Sequence, residues 1–259
     1  MKRFYIGIDI GSATTKAVIL GSERDVLGSA LVPTGVSAVR AAEEAVDLAL
    51  GRTNLSKTSL GRTVATGYGR DLLSSADSRV TEITCHARGA FQRLGSGCTL
   101  IDIGGQDSKA IAVGPTGKVA SFLMNDRCAA GTGRFLEVMA RVLGSDVENL
   151  SAMARQASRR TRINSMCTVF AESEVVSLIA RGTPREEIAS GLAWSVAERV
   201  GSLAKRVGLG EAVYLSGGVA YNAAVVSALS EHLGKDVRVI KEPQLNGAFG
   251  AALVATEGG

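Results

Sequence analysis

The chain has 259 residues, of which 46% are hydrophobic and 31 are glycine, enough for one large domain or two ordinary ones. Basic residues number 29 and acidic residues 25, which leaves a net charge of only +4 and excludes a strongly basic nucleic-acid-binding chain. The one basic run, at residues 159–162, lacks interleaved aromatic residues and is interpreted as a solvated face. No segment approaches the roughly 18 uninterrupted apolar residues of a membrane span, and no signal peptide develops. We therefore expect a soluble cytoplasmic protein without a nucleic-acid or membrane partner.

The first predicted element is a hairpin. An apolar strand at residues 4–10 ends in Gly-Ile-Asp-Ile-Gly-Ser and is followed by a second apolar run at residues 17–20. Gly11 allows a tight turn whose backbone N–H groups and hydroxyls can approach a phosphate, and Lys16 can add a positive charge. The residues predicted to contact phosphate here are Gly11, Ser12, Ala13, Thr14, Thr15 and Lys16.

The hairpin sequence recurs about ninety residues later. Ile8-Asp9-Ile10-Gly11-Ser12 aligns without a gap with Ile101-Asp102-Ile103-Gly104-Gly105, and a lysine follows each copy. One such turn alone is most often an ordinary hairpin, but the repeat favours two turns facing one polyphosphate. Asp9, with Asp102 or Asp107, is then available to hold Mg²⁺ through water. The second copy contributes Gly104, Gly105 and Gln106 to the predicted phosphate site, and the predicted catalytic residues are Asp9, Asp102, Gln106 and Asp107.

A third element lies near the end of the chain. An apolar strand at residues 212–215 leads into a Gly-Gly turn and a helical pattern at residues 222–233. The absence of side chains in this turn lets a flat ring approach the backbone, which suits adenosine. The predicted adenosine contacts are Gly217, Gly218 and Val219.

In this order the three elements resemble the actin, sugar-kinase and Hsp70 superfamily. That resemblance implies an α/β fold of two duplicated ribonuclease H-like lobes with a nucleotide cleft between them. Residues 1–95 and 246–259 are expected to form the first lobe, and residues 96–245 the second. Apolar spacing further predicts helices at residues 39–50, 133–143, 169–180, 184–207 and 249–255.

Two of the four cysteines, Cys128 and Cys167, lie in polar or glycine-rich stretches just before predicted helices. A buried structural thiol is the ordinary alternative, but their polar neighbours favour a ligand role at helix N-termini. Two thiolates do not complete a four-ligand site, so the simplest completion is a symmetric dimer. Cys85 and Cys98 receive no ligand role. Glu82 and His86, four residues apart, are interpreted as a surface or packing pair.

Two longer motifs point to one family within this superfamily. The segments 125–135 and 167–175 are similar to signatures of the activator component of (R)-2-hydroxyacyl-CoA dehydratases and of benzoyl-CoA reductase ATPase subunits, with Arg127 where lysine is expected. The resemblance implies a homodimer bridging one 4Fe–4S cluster through Cys128 and Cys167 of each protomer. It also implies that ATP drives one low-potential electron to a separate dehydratase or reductase, with a ferredoxin or flavodoxin as the electron source. Further nucleotide contacts are predicted at Asp126, Gly131, Gly133 and Gln244.

The sequence also permits two functions other than an ATP-driven electron donor. A metabolite kinase of the same superfamily would use Asp102 or Asp107 as a general base, but it leaves both cysteine motifs unexplained. A structural zinc site holding a dimer together is permitted by the ligand count alone.

Overall fold

The structure is a computed structural model that describes residues 4–53, 55, 60–125, 128–164 and 167–257. The chain divides into two compact units. The first lobe comprises Met1–Gly97, Val113–Ala120 and Ile240–Gly259, and the second comprises Cys98–Ala112 and Ser121–Val239. Within the described ranges, no helix combines the length and the apolar character needed to cross a membrane.

The first sheet has five strands in the order β3-β2-β1-β4-β5. Strands β1 and β2 form the predicted antiparallel hairpin, and β4 pairs with β1 in parallel. The bounds are β1 (Phe4–Ile10), β2 (Thr14–Leu20), β3 (Val26–Pro33), β4 (Leu60–Thr66) and β5 (Ser78–Arg79), with helices α1 (Ala38–Leu50), α2 (Glu82–Leu94) and α8 (Asn246–Glu257).

The second sheet has the order β10-β9-β6-β7-β8, which repeats the first when β6 takes the place of β1. Strand β9 pairs with β6 in parallel, as β4 does with β1. The repeated sequence therefore carries a repeated topology. The bounds are β6 (Cys98–Ile103), β7 (Ser108–Val113), β8 (Val119–Asn125), β9 (Val213–Ser216) and β10 (Val237–Val239), with helices α3 (Gly133–Val142), α4 (Val147–Arg155), α5 (Thr168–Ala180), α6 (Arg185–Val207) and α7 (Ala223–Leu233).

Helix α6 forms the centre of the second lobe. Ile188, Leu192, Val196 and Val200 follow one another at four-residue intervals and are completely buried, so one face of the helix lies in the core. Acidic residues in its first turn and basic residues in its last turn complement the helix dipole. The predicted helix at residues 184–207 is confirmed.

Close backbone contact positions α8 in the first lobe. A Cβ atom on Gly7 would collide with the carbonyl oxygen of Ala248 and the amide nitrogen of Ala252. A Cβ atom on Gly250 would collide in the same way with the carbonyl of Cys85 on α2. Only glycine permits these approaches, and they place the start of α8 beside the end of β1, where Asp9 lies.

Candidate nucleotide and cysteine sites

The turn between β1 and β2 is closed by a backbone hydrogen bond from Gly11 N–H to the carbonyl of Thr14, at 3.1 Å. The carbonyl of Gly11 accepts a hydrogen bond from the Thr34 hydroxyl at 2.7 Å. Thr15 is completely buried, and its hydroxyl lies 2.9 Å from that of Thr34. Thr15 therefore stabilises the position of the Thr34 side chain that binds the turn. Ser12 is partly exposed, and Ala13 at the tip is exposed.

The turn between β6 and β7 has the same closure. Gly104 N–H donates to the carbonyl of Asp107 at 3.0 Å, the same i to i+3 contact as in the first lobe. Gly105 is partly exposed and Gln106 is exposed. The two predicted phosphate turns therefore share the same closing hydrogen bond as well as one sequence pattern.

Each turn carries a carboxylate and a lysine seven residues apart. In the first lobe Lys16 Nζ lies 3.4 Å from Asp9 Oδ2. In the second lobe Lys109 Nζ lies 3.6 Å from Asp102 Oδ2 and 2.7 Å from Asp107 Oδ1. Lys109 is only 1% exposed, so its charge is neutralised inside the protein by these two carboxylates.

The two aspartates differ in their second oxygen. Asp102 Oδ1 accepts a hydrogen bond from the Ser216 hydroxyl at 2.7 Å, and Ser216 is the parallel-strand partner of Asp102. Thr66 has the equivalent position beside Asp9, but its hydroxyl donates to the carbonyl of Val80. Asp9 Oδ1 is buried and has no hydrogen-bond partner among the described residues. Because a buried carboxylate oxygen is costly to leave unsatisfied, this atom fits a position that a ligand or its water would complete.

The glycine turn after β9 lies against the end of β6. Gly217 has φ +85°, and a Cβ atom there would collide with the carbonyl of Ile103, immediately before the second phosphate turn. Gly218 is exposed, and Val219 is buried. The backbone of Gly217 and Gly218, which carries no side chains, therefore lies beside the phosphate turn of the same lobe. Gln244 belongs to the first lobe, where it is partly exposed on the 3₁₀ turn Pro243–Leu245.

The start of α8 adds polar groups that the sequence patterns did not reveal. Asn246 Nδ2 donates to the carbonyl of His86 at 3.0 Å and lies 3.3 Å from His86 Nδ1. His86 Nε2 lies 3.6 Å from Glu82 Oε1, one turn earlier on α2, and the His86 side chain is buried. Gly247 leaves room between Asp9 and His86, because a Cβ atom there would lie 3.0 Å from Asp9 Oδ2 and 3.0 Å from His86 Nε2.

Replacing Gly247 by alanine is therefore expected to displace the Asp9 carboxylate by a few tenths of an ångström. If Asp9 lies at the reacting centre, as the sequence predicts, a shift of this size should lower the ATP hydrolysis rate about tenfold. The control is Gly51→Ala, since Gly51 has φ −60° and a Cβ atom there makes only ordinary contacts. Steady-state ATPase assays and thermal melts check the effect, and equal rates for the two variants would show that Gly247 does not control Asp9.

The Cys128 segment differs from the prediction in one respect. Cys128 lies in the turn that precedes α3, four residues before the N-cap Thr132, and not at the helix start. The side-chain amide of Asn125 holds this turn by donating to the carbonyls of Cys128 and Ala130 at 3.0 and 3.3 Å. Cys128 is partly buried and packs against the core of the second lobe. The predicted nucleotide contact Asp126 lies outside the described residues.

Helix α3 is hydrogen-bonded directly to the second phosphate turn. Gly133 N–H donates to the carbonyl of Gly104 at 2.8 Å, and Arg134 N–H donates to the carbonyl of Gly105 at 2.9 Å. A Cβ atom on Gly133 would lie 3.2 Å from the Gly104 oxygen, so a glycine eases this approach. The segment that carries Cys128 is therefore attached to the segment predicted to bind phosphate.

Cys167 is the N-cap residue of α5, which confirms its predicted place at a helix start. Its side chain is exposed, and Val169 and Phe170 in the first turn of the helix are 67% and 68% exposed. A thiol beside two exposed apolar side chains is suited to contact with another protein surface.

The other two cysteines have the opposite character. Both are buried, and burial raises the pKa of the Cys85 thiol to about 12 and that of the Cys98 thiol to about 11. A metal ion would have to displace the proton from each thiol before the sulfur could bind it. That neither cysteine is a ligand stays a prediction.

The fold and the paired turns define the class of protein. A ROK-family glucokinase from Streptomyces griseus has the same fold, with a TM-score of 0.61 at 15% sequence identity over 98% of this chain and all of that chain. The predicted fold class, a two-lobed α/β ATPase fold of the actin, sugar-kinase and Hsp70 type, is confirmed.

Sequence comparison identifies the family within that class. The sequence profile of the BadF/BadG/BcrA/BcrD ATPase family matches residues 6–255, and the chain belongs to this family. A relative named activator of lactoyl-CoA dehydratase, from Anaerotignum propionicum, is 47% identical over 254 residues, covering 98% of each chain.

Two solved structures are also very similar. Component A of the (R)-2-hydroxyglutaryl-CoA dehydratase of Acidaminococcus fermentans has a TM-score of 0.94 at 42% identity, with 98% of each chain covered. The activator of the 2-hydroxyisocaproyl-CoA dehydratase of Clostridium difficile, solved with bound ADPNP, has a TM-score of 0.93 at 41% identity, covering 98% of this chain and 94% of that chain.

Proposed function

We propose that the protein is an ATP-dependent activator that donates one electron to a separate 2-hydroxyacyl-CoA dehydratase or related acyl-CoA reductase. The observation that carries the proposal is the attachment of the Cys128 segment to the second phosphate turn through Gly133 and Arg134. The names of the relatives, two of them activators and a third a component of acyl-CoA dehydratases, support the same role. A ferredoxin or flavodoxin would supply the electron.

For the nucleotide, ATP or ADP, the two glycine turns would provide backbone N–H groups to phosphate oxygens. Asp9 and Asp102 would hold Mg²⁺ through water, and Gln106 and Asp107 would assist hydrolysis beside them. The unsatisfied Asp9 Oδ1 supports this assignment, because a water of the metal would give that oxygen its missing hydrogen bond. Gly217, Gly218 and Val219 would border the adenosine, with Gln244, Gly131 and Gly133 as further nucleotide contacts.

For the metal, Cys128 and Cys167 would be the ligands. Each is the kind of donor that iron prefers, and both lie outside the buried core, unlike Cys85 and Cys98. When bound, a 4Fe–4S cluster would supply a one-electron carrier of low potential.

One chain offers two such thiols, so four ligands require a homodimer with the cluster shared between protomers. The exposed apolar side chains of Val169 and Phe170, directly after Cys167, would be covered in such a dimer. Coupling to ATP would then use the hydrogen bonds between Gly133, Arg134 and the second phosphate turn. A change in that turn on hydrolysis would be passed to α3 and to the turn that holds Cys128.

The test is metal and sulfide analysis of anaerobically purified and reconstituted protein, followed by EPR of the dithionite-reduced state with and without Mg-ATP. We expect a brown, oxygen-sensitive dimer with about four iron atoms per dimer. We also expect an EPR signal that changes with nucleotide. Colourless protein without iron after strictly anaerobic handling would refute the proposal, and zinc without sulfide would indicate a structural metal site instead.

A further inference from the structure

The side chain of Arg199 on α6 reaches the Cys128 thiol. Arg199 Nη1 donates a hydrogen bond to Cys128 Sγ at 3.2 Å. No carboxylate among the described residues forms an ion pair with Arg199, so the sulfur atom is the group that its charge faces. A neutral thiol is a weak acceptor, whereas a metal-bound thiolate is a strong one, and the guanidinium is always charged.

The contact depends on a glycine beside it. Gly131 has φ +93°, and a Cβ atom there would lie 2.9 Å from Cδ and 3.3 Å from Cγ of Arg199. Gly131 therefore leaves the space through which the arginine passes to reach the sulfur. This is a structural reason for glycine at a position where the sequence predicted a nucleotide contact.

Both ends of the contact are held in place. Val196 and Val200, on either side of Arg199, are completely buried and fix α6 in the core. Asn125 holds the backbone of Cys128 by its hydrogen bond to the Cys128 carbonyl. The distance between the guanidinium and the sulfur is thus set by rigid parts of one lobe and not by a flexible surface chain.

We propose that Arg199 positions Cys128 and raises the reduction potential of the cluster that Cys128 ligates. The proposal rests on the cluster proposed above. On reduction one electron enters the cluster, no bond forms or breaks, and the negative charge increases by one. A fixed cation that donates a hydrogen bond to a ligand sulfur stabilises the more negative state, and such hydrogen bonds are known determinants of cluster potentials.

The test compares wild type, Arg199→Gln, Arg199→Lys and the control Arg206→Gln after anaerobic reconstitution. Arg206 is an exposed arginine on the same helix, so its replacement removes the same charge without touching Cys128. The reduced fraction of the cluster is measured by EPR at a series of controlled potentials.

For Arg199→Gln we expect about a tenfold lower ratio of reduced to oxidised cluster at a given potential, which corresponds to about 59 mV for one electron. Arg199→Lys should lie between wild type and Arg199→Gln, and Arg206→Gln should equal wild type. If Arg199→Gln folds normally by circular dichroism but loses iron while Arg206→Gln keeps it, the positioning role is supported. The effect on the reduction potential is then measured by comparing Arg199→Lys with wild type.

Two results overturn the proposal, and they are distinguishable. In the first result, Arg199→Gln and Arg199→Lys bind as much iron as wild type and have the same reduction potential. The proposal for Arg199 would then be wrong, and the proposed function would be unaffected. A wild-type protein that binds no iron would remove both together.

Discussion

Replacing Cys128 or Cys167 by alanine is expected to abolish iron binding and leave nucleotide binding unchanged. Each protomer contributes two thiolates to the proposed cluster, so one substitution removes two of the four ligands from a symmetric dimer. Cys167 is exposed and Cys128 is only partly buried, so either truncation to alanine should leave the protein folded. Iron and sulfide analysis after reconstitution, together with calorimetric titration of ATP, measures the two properties separately.

The matched control is Cys98→Ala. Cys98 is a buried thiol of β6 whose raised pKa keeps it protonated, so its loss should cost stability but no iron. A loss of the sulfur atom from the core is expected to lower the free energy of unfolding by about 1 kcal/mol. Retention of full iron by Cys128→Ala or Cys167→Ala would contradict the ligand assignment.

Replacing Asp9 by asparagine is expected to lower ATP hydrolysis about 100-fold with little change in fold. Asparagine keeps the shape of the side chain but removes the charge that would hold the hydrated Mg²⁺ beside the phosphates. It also leaves Lys16 without its carboxylate partner. The rate is measured at saturating Mg-ATP, and the change in Mg²⁺ dependence is measured by titration.

Asp71→Asn serves as the control for Asp9→Asn. Asp71 lies on the 3₁₀ turn Arg70–Leu72 of the same lobe and is exposed, and its one ion pair among the described residues is a 3.8 Å contact with Arg70. Its replacement removes the same charge and should leave the rate unchanged. If Asp9→Asn hydrolysed ATP as fast as Asp71→Asn, the metal role of Asp9 would be wrong.

The local parts of the fold could be predicted from the sequence. Alternating and helical patterns of apolar residues predict both hairpins and six of the eight described helices, because these patterns depend only on which side chains face the core. The repeat of Ile-Asp-Ile-Gly predicted two equivalent turns, and the matching closures at Gly11 and Gly104 follow from that repeat. Strands β3, β5, β8 and β10 and helices α2 and α4 had weaker patterns and were not predicted.

The remaining contacts join residues far apart in the sequence. Ser216 reaches Asp102 across 114 positions, and Asn246 reaches His86 across 160. No local pattern marks such pairs, since they depend on which strands and helices become neighbours. A partial signal existed for Ser216, because it ends an apolar run just before a glycine, as Thr66 does before Gly67 in the first lobe.

The place of Cys128 shows a different limit of sequence analysis. The apolar spacing correctly gives the start of α3 at Gly133. It does not describe the irregular turn before that start, which is held by the Asn125 side chain and by Gly131 in the left-handed region. Arg199 likewise lies on a long regular helix, where nothing in the sequence distinguishes it from a surface arginine.

The hydrogen bonds of Gly133 and Arg134 also fix the direction of the amide groups in the second phosphate turn. In a trans peptide unit the C=O and N–H bonds point in opposite directions, and the described residues contain no cis peptide. The carbonyls of Gly104 and Gly105 point to α3, so the N–H groups of Gly105 and Gln106 must point away from it.

In the first lobe the carbonyl of Gly11 is held by Thr34, a residue that directly follows β3. The first turn is therefore oriented by a side chain next to a strand of its own sheet. In the second turn, rotating either peptide plane would break its bond to α3, so the direction of these amides and the anchoring of the cysteine segment change together.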